Sequence, residues 1–187
     1  SMLDLDRQVA RERKLHVELI QSSMDDLTML KTDHFDLVIH PVSSCYLPSL
    51  INLFSEIARI CRPSGLYISQ HKSPRSLQSS SQLNSNGRYE LLYPESYPAA
   101  HPRALPPAPP SRLRELGTDE FVHSLTDILG GICQAGFHVE DFFEPCEFKE
   151  ESSVGSYAHR AAFLPPYIRI LARKGSSQAI VQSLVVQ

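Results

Sequence analysis

The sequence predicts an α/β fold with a mostly parallel sheet, and two strand segments joined by a helix carry this prediction. Residues 35–40 (FDLVIH) form a short, apolar, β-branched run that is typical of a buried strand. Residues 48–61 repeat apolar side chains at helical spacing, and residues 66–69 (LYIS) begin a second strand. A strand, a helix and a strand with short connections form a βαβ unit, which implies parallel strands and a right-handed crossover.

The ends of the central helix are marked by residues with known positional preferences. Pro48 suits the first helical turn, where its missing N–H costs nothing. Arg59 lies in the last turn, where a positive charge complements the helix dipole. Pro63 and Gly65 then end the helix. The second strand therefore follows the helix after a very short connection.

The flanking segments predict the rest of the sheet. Thr118 is a good N-cap for a later helix, and Gly136 suits its left-handed C-cap. The short connection after Gly136 and the long return to Tyr167 favour a final antiparallel strand. In chain order we predict a helix over 1–14, parallel strands at 16–22, 35–40 and 66–71, a helix over 118–135, a strand at 137–143, and an antiparallel strand at 167–174 beside it.

Composition indicates one ordinary globular domain over residues 1–187. A net charge of −3 and a pI near 6.2 give no basic footprint for nucleic acid. No apolar run approaches the roughly 20 residues of a membrane span, and no signal peptide opens the chain. The four cysteines form no CxxC pair, so we expect reduced thiols rather than zinc ligands or disulfides. We therefore predict a cytoplasmic protein with no metal.

The order of these elements resembles the second half of a class I S-adenosylmethionine-dependent methyltransferase. The likeness rests on the FDLV strand, on the helix that ends in RPSG before the next strand, and on the run HSLTDILGGICQAGFHVEDFFEP. The family has Gly-Gly where this chain has Ser64-Gly65. The resemblance covers residues 2–174. It implies a Rossmann-like three-layer sandwich with an antiparallel final strand, and S-adenosyl-L-methionine as the cofactor.

One family motif is missing from these residues. In the family, an E/D-x-G-x-G-x-G loop brings backbone amides to the cofactor, and an acidic residue then binds the ribose hydroxyls. Here the first glycine is Gly65, so both features would precede Ser1. Two interpretations stay open: the gene encodes a further N-terminal segment, or the chain is a truncated relative. We expect the 187 residues alone to bind S-adenosylmethionine weakly or not at all.

The resemblance places a ligand outside the carboxyl ends of the parallel strands. Ser23 stands where the family commonly has a carboxylate that binds adenine, with Asp25 or Asp26 as substitutes. The alternative is a capped turn with solvated acids. The loop after the first central strand would border the methionine half of the cofactor. The predicted cofactor-binding residues are Ser23, Met24, Asp25, His40, Pro41 and Val42.

Two histidines are the candidate catalytic residues. His40 is interpreted either as a general base or as a strand-end histidine that the backbone satisfies, and the second is favoured. His71 follows the second central strand, where it would orient or deprotonate a substrate, or lie in a solvated loop. Cys45 has no evident basic partner and is not expected to be a nucleophile. Methyl transfer needs alignment and sometimes one base, so no metal set is required.

Residues 74–116 are predicted to be an inserted lid or a flexible loop. The first part is rich in serine and asparagine, and seven of the fourteen prolines lie between Pro94 and Pro110. We expect residues 76–112 to be the most mobile internal segment and to cover the substrate side of the sheet. The predicted substrate-binding residues are Tyr46, Tyr93, Tyr97, His123 and Tyr157.

The sequence therefore predicts a methyltransferase that acts on a small molecule by in-line displacement. It predicts no nucleic acid or membrane partner and permits a homodimer. One alternative is a non-catalytic, methyltransferase-like scaffold or fragment that binds a partner chain, which the missing glycine loop supports. A nucleotide enzyme that cradles phosphate is a weaker alternative, since no P-loop is present.

Overall fold

The computed structural model describes residues 2–94, 104–106, 113–115, 117–145 and 149–176. From residue 35 onward the helices and strands follow the predicted order, with two further short helices. The elements are α1 (Met2–Glu12), β1 (Phe35–Pro41), a 3₁₀ turn (Ser44–Tyr46), α2 (Ile51–Ile60), β2 (Cys61–Lys72), α3 (Pro74–Gln78), a π-helical turn (Thr126–Gly130), α4 (Gly131–Gln134), β3 (Phe137–Phe143), α5 (Tyr157–Phe163) and β4 (Tyr167–Lys174).

The four strands form one mixed sheet in the order β1-β2-β4-β3. β1 and β2 are parallel, as the βαβ pattern predicted, with Ile39 opposite Ile68. β4 runs antiparallel to both β2 and β3, and Ile68 lies opposite Leu171. The α/β, Rossmann-like class and the antiparallel final strand are therefore confirmed. The parallel strands β1 and β2 place their carboxyl ends at one edge of the sheet.

The strand predicted at 16–22 is not formed. The segment has no regular secondary structure and pairs with no strand among the described residues. Two of its apolar side chains stay in solvent: Val17 is 54% and Ile20 41% exposed. An alternating pattern becomes a strand only where a neighbour supplies hydrogen bonds and a buried face. The described part of the chain supplies neither, so the prediction was wrong here.

The helix predicted over 118–135 begins later than Thr118. Ser124 caps it: its hydroxyl accepts from the Asp127 N–H at 3.0 Å. The Asp127 carboxylate accepts in return from the Ser124 N–H at 2.9 Å. This reciprocal capping box satisfies donors at the helix start, whereas the Thr118 hydroxyl donates to the Glu115 carbonyl at 3.3 Å. At the other end Gly136 has a φ of 94°, the left-handed conformation that the sequence predicted.

The main core lies between the sheet and the helices α2 and α4. Phe54 and Leu53 of α2 pack with Ile132 of α4 against the inward side chains of the strands, which include Tyr67 and Ile168. Burying each large apolar side chain contributes roughly 1.5–3 kcal/mol. On the opposite face of the sheet, Leu37, Ile39 and Ile68 are exposed. No helix in the described residues is long and apolar enough to cross a membrane.

The serine-rich part of the insertion is hydrogen-bonded along its length rather than unstructured. After α3 the chain forms a hairpin in which the Ser80 N–H donates to the Glu90 carbonyl at 2.8 Å. The Leu92 N–H donates to the Gln78 carbonyl at 2.7 Å, and Asn84 closes the turn. Residues 74–93 therefore contain α3 and this hydrogen-bonded hairpin. The buried Arg160 of α5 donates to the carbonyls of Ser80 and Ser76, so part of this segment is held by a residue far along the chain.

The Ser64-Gly65 pair that departs from the family pattern carries backbone strain. Ser64 has a φ of 65°, which costs a residue with a side chain roughly 1–2 kcal/mol. We expect Ser64→Gly to raise the free energy of unfolding by about 0.5–1 kcal/mol, since glycine entropy offsets part of the relief. Gly65→Ala should do the opposite, because its Cβ would lie 2.9 Å from the Arg62 carbonyl oxygen. Urea unfolding measures both, and equal stability of Ser64→Gly and wild type would contradict the assignment of strain.

Candidate functional site

The carboxyl ends of β1 and β2 meet a set of buried polar side chains. β1 ends at Pro41, and the chain then forms the loop 42–50 before α2 begins at Ile51. β2 ends at Lys72, so its last residues lie beside this loop. Both candidate catalytic histidines lie at this edge, and their rings are 5.7 Å apart in an edge-on arrangement.

His40 is held by side chains on both of its ring nitrogens. Nδ1 lies 2.9 Å from the Tyr67 hydroxyl and Nε2 lies 2.8 Å from the Ser43 hydroxyl. The residue is only 8% exposed. As the favoured prediction has it, His40 is a histidine near the end of its strand with both ring nitrogens hydrogen-bonded. Its partners, however, are side chains and not the backbone that the sequence predicted.

His71 is fully buried within β2, so the interpretation as a solvated loop residue was wrong. Its Nδ1 lies 2.7 Å from the Ser44 hydroxyl, and its Nε2 lies 3.0 Å from the Ser69 hydroxyl. Tyr67, Ser69 and His71 alternate along β2 and face the same side of the sheet as His40. The two histidines therefore belong to one network that fastens the loop after β1 to β2.

Burial keeps both histidines neutral near pH 7. It lowers the pKa of His40 from its ordinary value of 6.5 to about 4. Burial also lowers the pKa of His71 to about 3, and the nearby His40 and His123 add to this shift. A histidine with such a pKa is a weak base, and both of its nitrogens are already bonded. The arrangement is suited to positioning the loop.

These pKa values predict acid sensitivity. The unfolded chain takes up protons near pH 6.5, whereas folded His40 and His71 do so only near pH 4 and 3. The free energy of unfolding should therefore have its full value above about pH 7. It should fall as the pH drops from 6.5 toward 4, by roughly 3 kcal/mol or more for each histidine. Urea unfolding at several pH values measures this. His71→Asn should flatten the profile, the exposed His16→Gln should not, and a flat wild-type profile would contradict the burial.

The main chain is strained where β1 ends. Val42 has a φ of 43°, an outlier for a β-branched residue. Its N–H donates to the Gln70 carbonyl at 2.8 Å. Because the peptide bond is planar and trans, the Pro41 carbonyl points the other way, away from β2. Pro41 has no N–H to pair on that side, which suits an edge position. Strain of this kind persists where the surroundings impose it and clusters at binding sites.

A buried ion cluster closes the other side of this edge. The Lys72 ammonium lies 2.8 Å from Glu120, whose carboxylate also lies 2.8 Å from the Arg114 guanidinium and accepts from the Glu115 N–H at 2.9 Å. Glu120 is fully buried. The Lys72 ammonium also sits 5.8 Å from the centre of the Tyr46 ring. Sequence reasoning missed this cluster because Lys72 and Glu120 are 48 positions apart.

The predicted adenine-side residues lie on a capped turn. The Asp26 N–H donates to the Ser23 carbonyl at 3.2 Å, and the exposed Ser23 hydroxyl donates to Asp25. Met24 packs against the main core. The turn that follows is tied to α2, because Arg59 donates to the Leu27 carbonyl at 2.7 Å. Residues 23–26 therefore form the capped turn that was the alternative prediction, and the Ser23 hydroxyl and the Asp25 carboxylate are hydrogen-bonded to each other in it.

The predicted substrate-binding residues do not form a single group. His123 is buried and donates through Nε2 to the Leu47 carbonyl at 2.9 Å, and burial lowers its pKa. Tyr46 and Tyr93 both pack against a small cluster that contains Cys45 and Leu77. Tyr157 begins α5, and Tyr97 lies outside the described residues.

Cys45 is unsuited to nucleophilic chemistry, as predicted. Burial raises the pKa of its thiol to about 11, so the thiolate is scarce near neutral pH. Burial, together with a hydrogen bond to Glu115, also raises the pKa of Tyr46. Among the described residues, no group of three histidine, cysteine or acidic side chains is arranged to hold a metal.

Comparison with known proteins finds similarity to methyltransferases. Residues 1–69 match a family profile described as a methyltransferase domain. The chain is 31% identical over 150 residues to an uncharacterized methyltransferase, YbaJ, of Bacillus subtilis (strain 168), an alignment that covers 76% of the chain. These matches support the resemblance to class I S-adenosylmethionine-dependent methyltransferases. The chain spans 55% of the length of the Bacillus protein.

Solved structures agree with this methyltransferase fold. An S-adenosylmethionine-dependent methyltransferase from Mesorhizobium loti has a TM-score of 0.61 at 16% identity, over 90% of this chain and 76% of that chain. A putative S-adenosylmethionine-dependent methyltransferase from Listeria monocytogenes has a TM-score of 0.62 at 15% identity, over 90% of this chain and 75% of that chain. The geranyl diphosphate C-methyltransferase of Streptomyces coelicolor A3(2) was solved with Mg²⁺, geranyl diphosphate and S-adenosyl-L-homocysteine. It has a TM-score of 0.56 at 16% identity, over 91% of this chain and 59% of that chain. At these identities the likeness is one of fold.

Proposed function

We propose that the protein containing these residues transfers a methyl group from S-adenosyl-L-methionine to a small molecule. The sequence similarity to methyltransferases is the observation that carries this proposal. The acceptor's lone pair forms a bond to the methyl carbon as the carbon–sulfur bond breaks, and S-adenosyl-L-homocysteine leaves. Such a reaction depends mainly on the alignment of the acceptor atom with the methyl carbon and the sulfur, and needs few catalytic groups. This edge of the sheet provides fixed groups for that alignment.

The residues at the edge fit the methionine half of the cofactor. The Pro41 carbonyl points away from β2, and the positive φ of Val42 turns the chain sharply at this point. An outward carbonyl at a strand end is a suitable acceptor for an ammonium group. His40 supports this position from inside through its bond to Ser43. When bound, the cofactor supplies an electrophilic methyl group on a sulfonium.

The adenine side would be held by the capped turn. Ser23 and Asp25 present a hydroxyl and a carboxylate, which accept hydrogen bonds from an exocyclic amino group. Met24 stays with the core and offers apolar surface. Arg59 fixes the turn relative to α2 through the Leu27 carbonyl. These contacts support the residues predicted from the sequence.

We assign positioning roles to His40 and His71 rather than proton transfer. Both rings are neutral near pH 7, and each has both nitrogens bonded to side chains. Their hydroxyl partners Ser43 and Ser44 belong to the loop that follows β1. Loss of either ring should therefore displace the loop and weaken cofactor binding.

The segment 74–116 is proposed as the lid over the acceptor. Its start is bound to α5 through Arg160. Its end is bound through Arg114 and the Glu115 N–H to Glu120, which pairs with Lys72 of β2. Tyr46 and Tyr93 pack beside the start of the segment, at Leu77, and His123 follows its end along the chain. Together with Tyr97 and Tyr157, they are the proposed acceptor-binding residues. The non-catalytic scaffold is not favoured by the match to methyltransferases.

The test uses the full-length protein with methyl-labelled S-adenosylmethionine and a pool of small metabolites. We expect label to enter a small molecule with release of S-adenosyl-L-homocysteine. Replacing Tyr93 and Tyr97 by Ala should then raise the acceptor KM or lower kcat by about tenfold. Cofactor affinity should stay unchanged, and Asn86→Ala in the exposed hairpin turn serves as a control. Transfer of label only to protein would contradict the small-molecule proposal, and unchanged turnover in both tyrosine variants would contradict the lid.

A further inference from the structure

A cleft of about 410 Å³ lies between the start of α2 and the segment 121–135. Leu50, Ile51 and Phe54 form one wall, and Phe121, His123 and Gly131 belong to the other. None of the residues 40–46 of the carboxyl edge lines it. The cleft therefore lies apart from the proposed cofactor residues, and among the proposed acceptor residues it shares His123.

The two walls are fixed at both ends. The Phe121 N–H donates to the Cys45 carbonyl at 2.7 Å, and His123 donates to the Leu47 carbonyl at 2.9 Å. At the floor the helices touch, because a Cβ on Gly131 would lie 2.7 Å from the Phe54 ring. The cleft is thus a depression between anchored segments, and its size falls in the range of small-molecule sites.

A π-helical turn over Thr126–Gly130 forms part of the same wall. Such turns hold one more residue than an α-helical turn, are rare and are frequent at functional sites. An ordinary α-helical turn would complete the helix with better hydrogen-bond geometry. The wide turn therefore points independently to a function for this wall.

The lining combines apolar side chains with neutral polar ones such as Ser49, Thr126 and Gln134. None of the described residues that line the cleft is a lysine or an arginine, so nothing there would balance a phosphate or a carboxylate. Asp127 is the carboxylate in this lining, and it already accepts two hydrogen bonds from Ser124 in the capping box. We propose that this cleft binds a neutral small molecule with an apolar part, outside the proposed cofactor residues.

The test is binding of N-phenyl-1-naphthylamine to the full-length protein, followed by fluorescence and by amide chemical shifts. We expect shifts at Leu50, Gly131 and Ala135, and at least a roughly tenfold weaker Kd in both Ile51→Lys and Thr126→Trp. Asn52→Lys places the same charge on the adjacent exposed position of α2 outside the cleft and should change Kd less than about twofold. Circular dichroism checks that each variant is folded. Ile51→Lys should fold because Ile51 is exposed, so the lysine ammonium can stay in water.

A matched anion tests the charge selectivity. The 8-anilino-1-naphthalenesulfonate ion has the same aromatic skeleton with an added sulfonate, and it should fail to displace the neutral probe. The proposal is overturned if the anion competes equally, or if the shifts appear instead at the exposed sheet face of Leu37, Ile39 and Ile68. It is also overturned if the folded cleft variants bind the probe as tightly as wild type.

Discussion

Glu120→Gln is expected to lower the free energy of unfolding by about 3–5 kcal/mol. Glu120 is fully buried and lies 2.8 Å from both the Lys72 ammonium and the Arg114 guanidinium. The amide keeps the size of the side chain but removes the negative charge that both cations face. A buried charge without its counter-ion costs far more than the loss of an exposed pair. Urea unfolding at about pH 7.5 measures the loss.

Two comparisons separate this charge effect from a general sensitivity of the chain. Glu140→Gln breaks the solvent-exposed pair with Arg173 and should change stability far less than Glu120→Gln. Lys72→Met combined with Glu120→Gln should cost clearly less than the sum of the two single changes, because Lys72 and Glu120 then leave no charge of their own unpaired and only Arg114 keeps one. If Glu120→Gln and Glu140→Gln prove equally mild, the buried cluster does not hold this edge.

Arg160→Met is expected to destabilise the protein by a similar 3–5 kcal/mol and to release the insertion from α5. The guanidinium is only 2% exposed. It donates to the carbonyls of Ser80 at 2.9 Å, Ser76 at 2.8 Å and Ser79 at 3.3 Å, and to the Ser76 hydroxyl at 2.8 Å. Each carbonyl left buried without a donor costs about 1–3 kcal/mol. Methionine fills part of the volume, so the loss reports mainly on hydrogen bonds.

Limited proteolysis adds a local readout to the unfolding experiment. We expect cleavage between residues 76 and 93 to become much faster in Arg160→Met, since this segment depends on the arginine for its hydrogen bonds. Arg169→Met removes an exposed arginine that bonds only one side chain, Gln70, and should change neither result. A variant that keeps wild-type stability and wild-type cleavage would show that Arg160 does not fasten the insertion.

The central βαβ unit was predictable because its signals are local. Apolar periodicity lies within one stretch and gives α2 between β1 and β2. The predicted helix ends were wrong in detail: α2 begins at Ile51, after Pro48, and β2 begins at Cys61, so Pro63 and Gly65 lie inside the strand.

The strand expected at 16–22 shows the limit of this reasoning, because an alternating pattern says nothing about whether a partner strand exists. The start of the helical segment that leads through the π-helical turn into α4 shows another limit. Both Thr118 and Ser124 are good N-caps, and only Ser124 has an acidic residue three positions on that closes the box.

The site was predictable in position but not in its partners. His40 and His71 follow from the rule that ligands lie at the carboxyl ends of parallel strands. The alternation of Tyr67, Ser69 and His71 could have shown that they share a face. By contrast, Glu120 lies 48 positions from Lys72, and Arg160 lies 84 positions from Ser76. No local pattern links such residues, and both are polar groups that composition predicts to be exposed.

The most direct test of the proposed cofactor site is hydrogen exchange of the full-length protein with and without S-adenosyl-L-homocysteine. If the carboxyl edge binds the cofactor, peptides that cover residues 22–28 and 39–46 should exchange more slowly in its presence. The α5 peptide over Tyr157–Phe163 should change little, because the cofactor is not proposed to touch it. Saturated binding that leaves residues 22–28 and 39–46 unprotected would contradict the account.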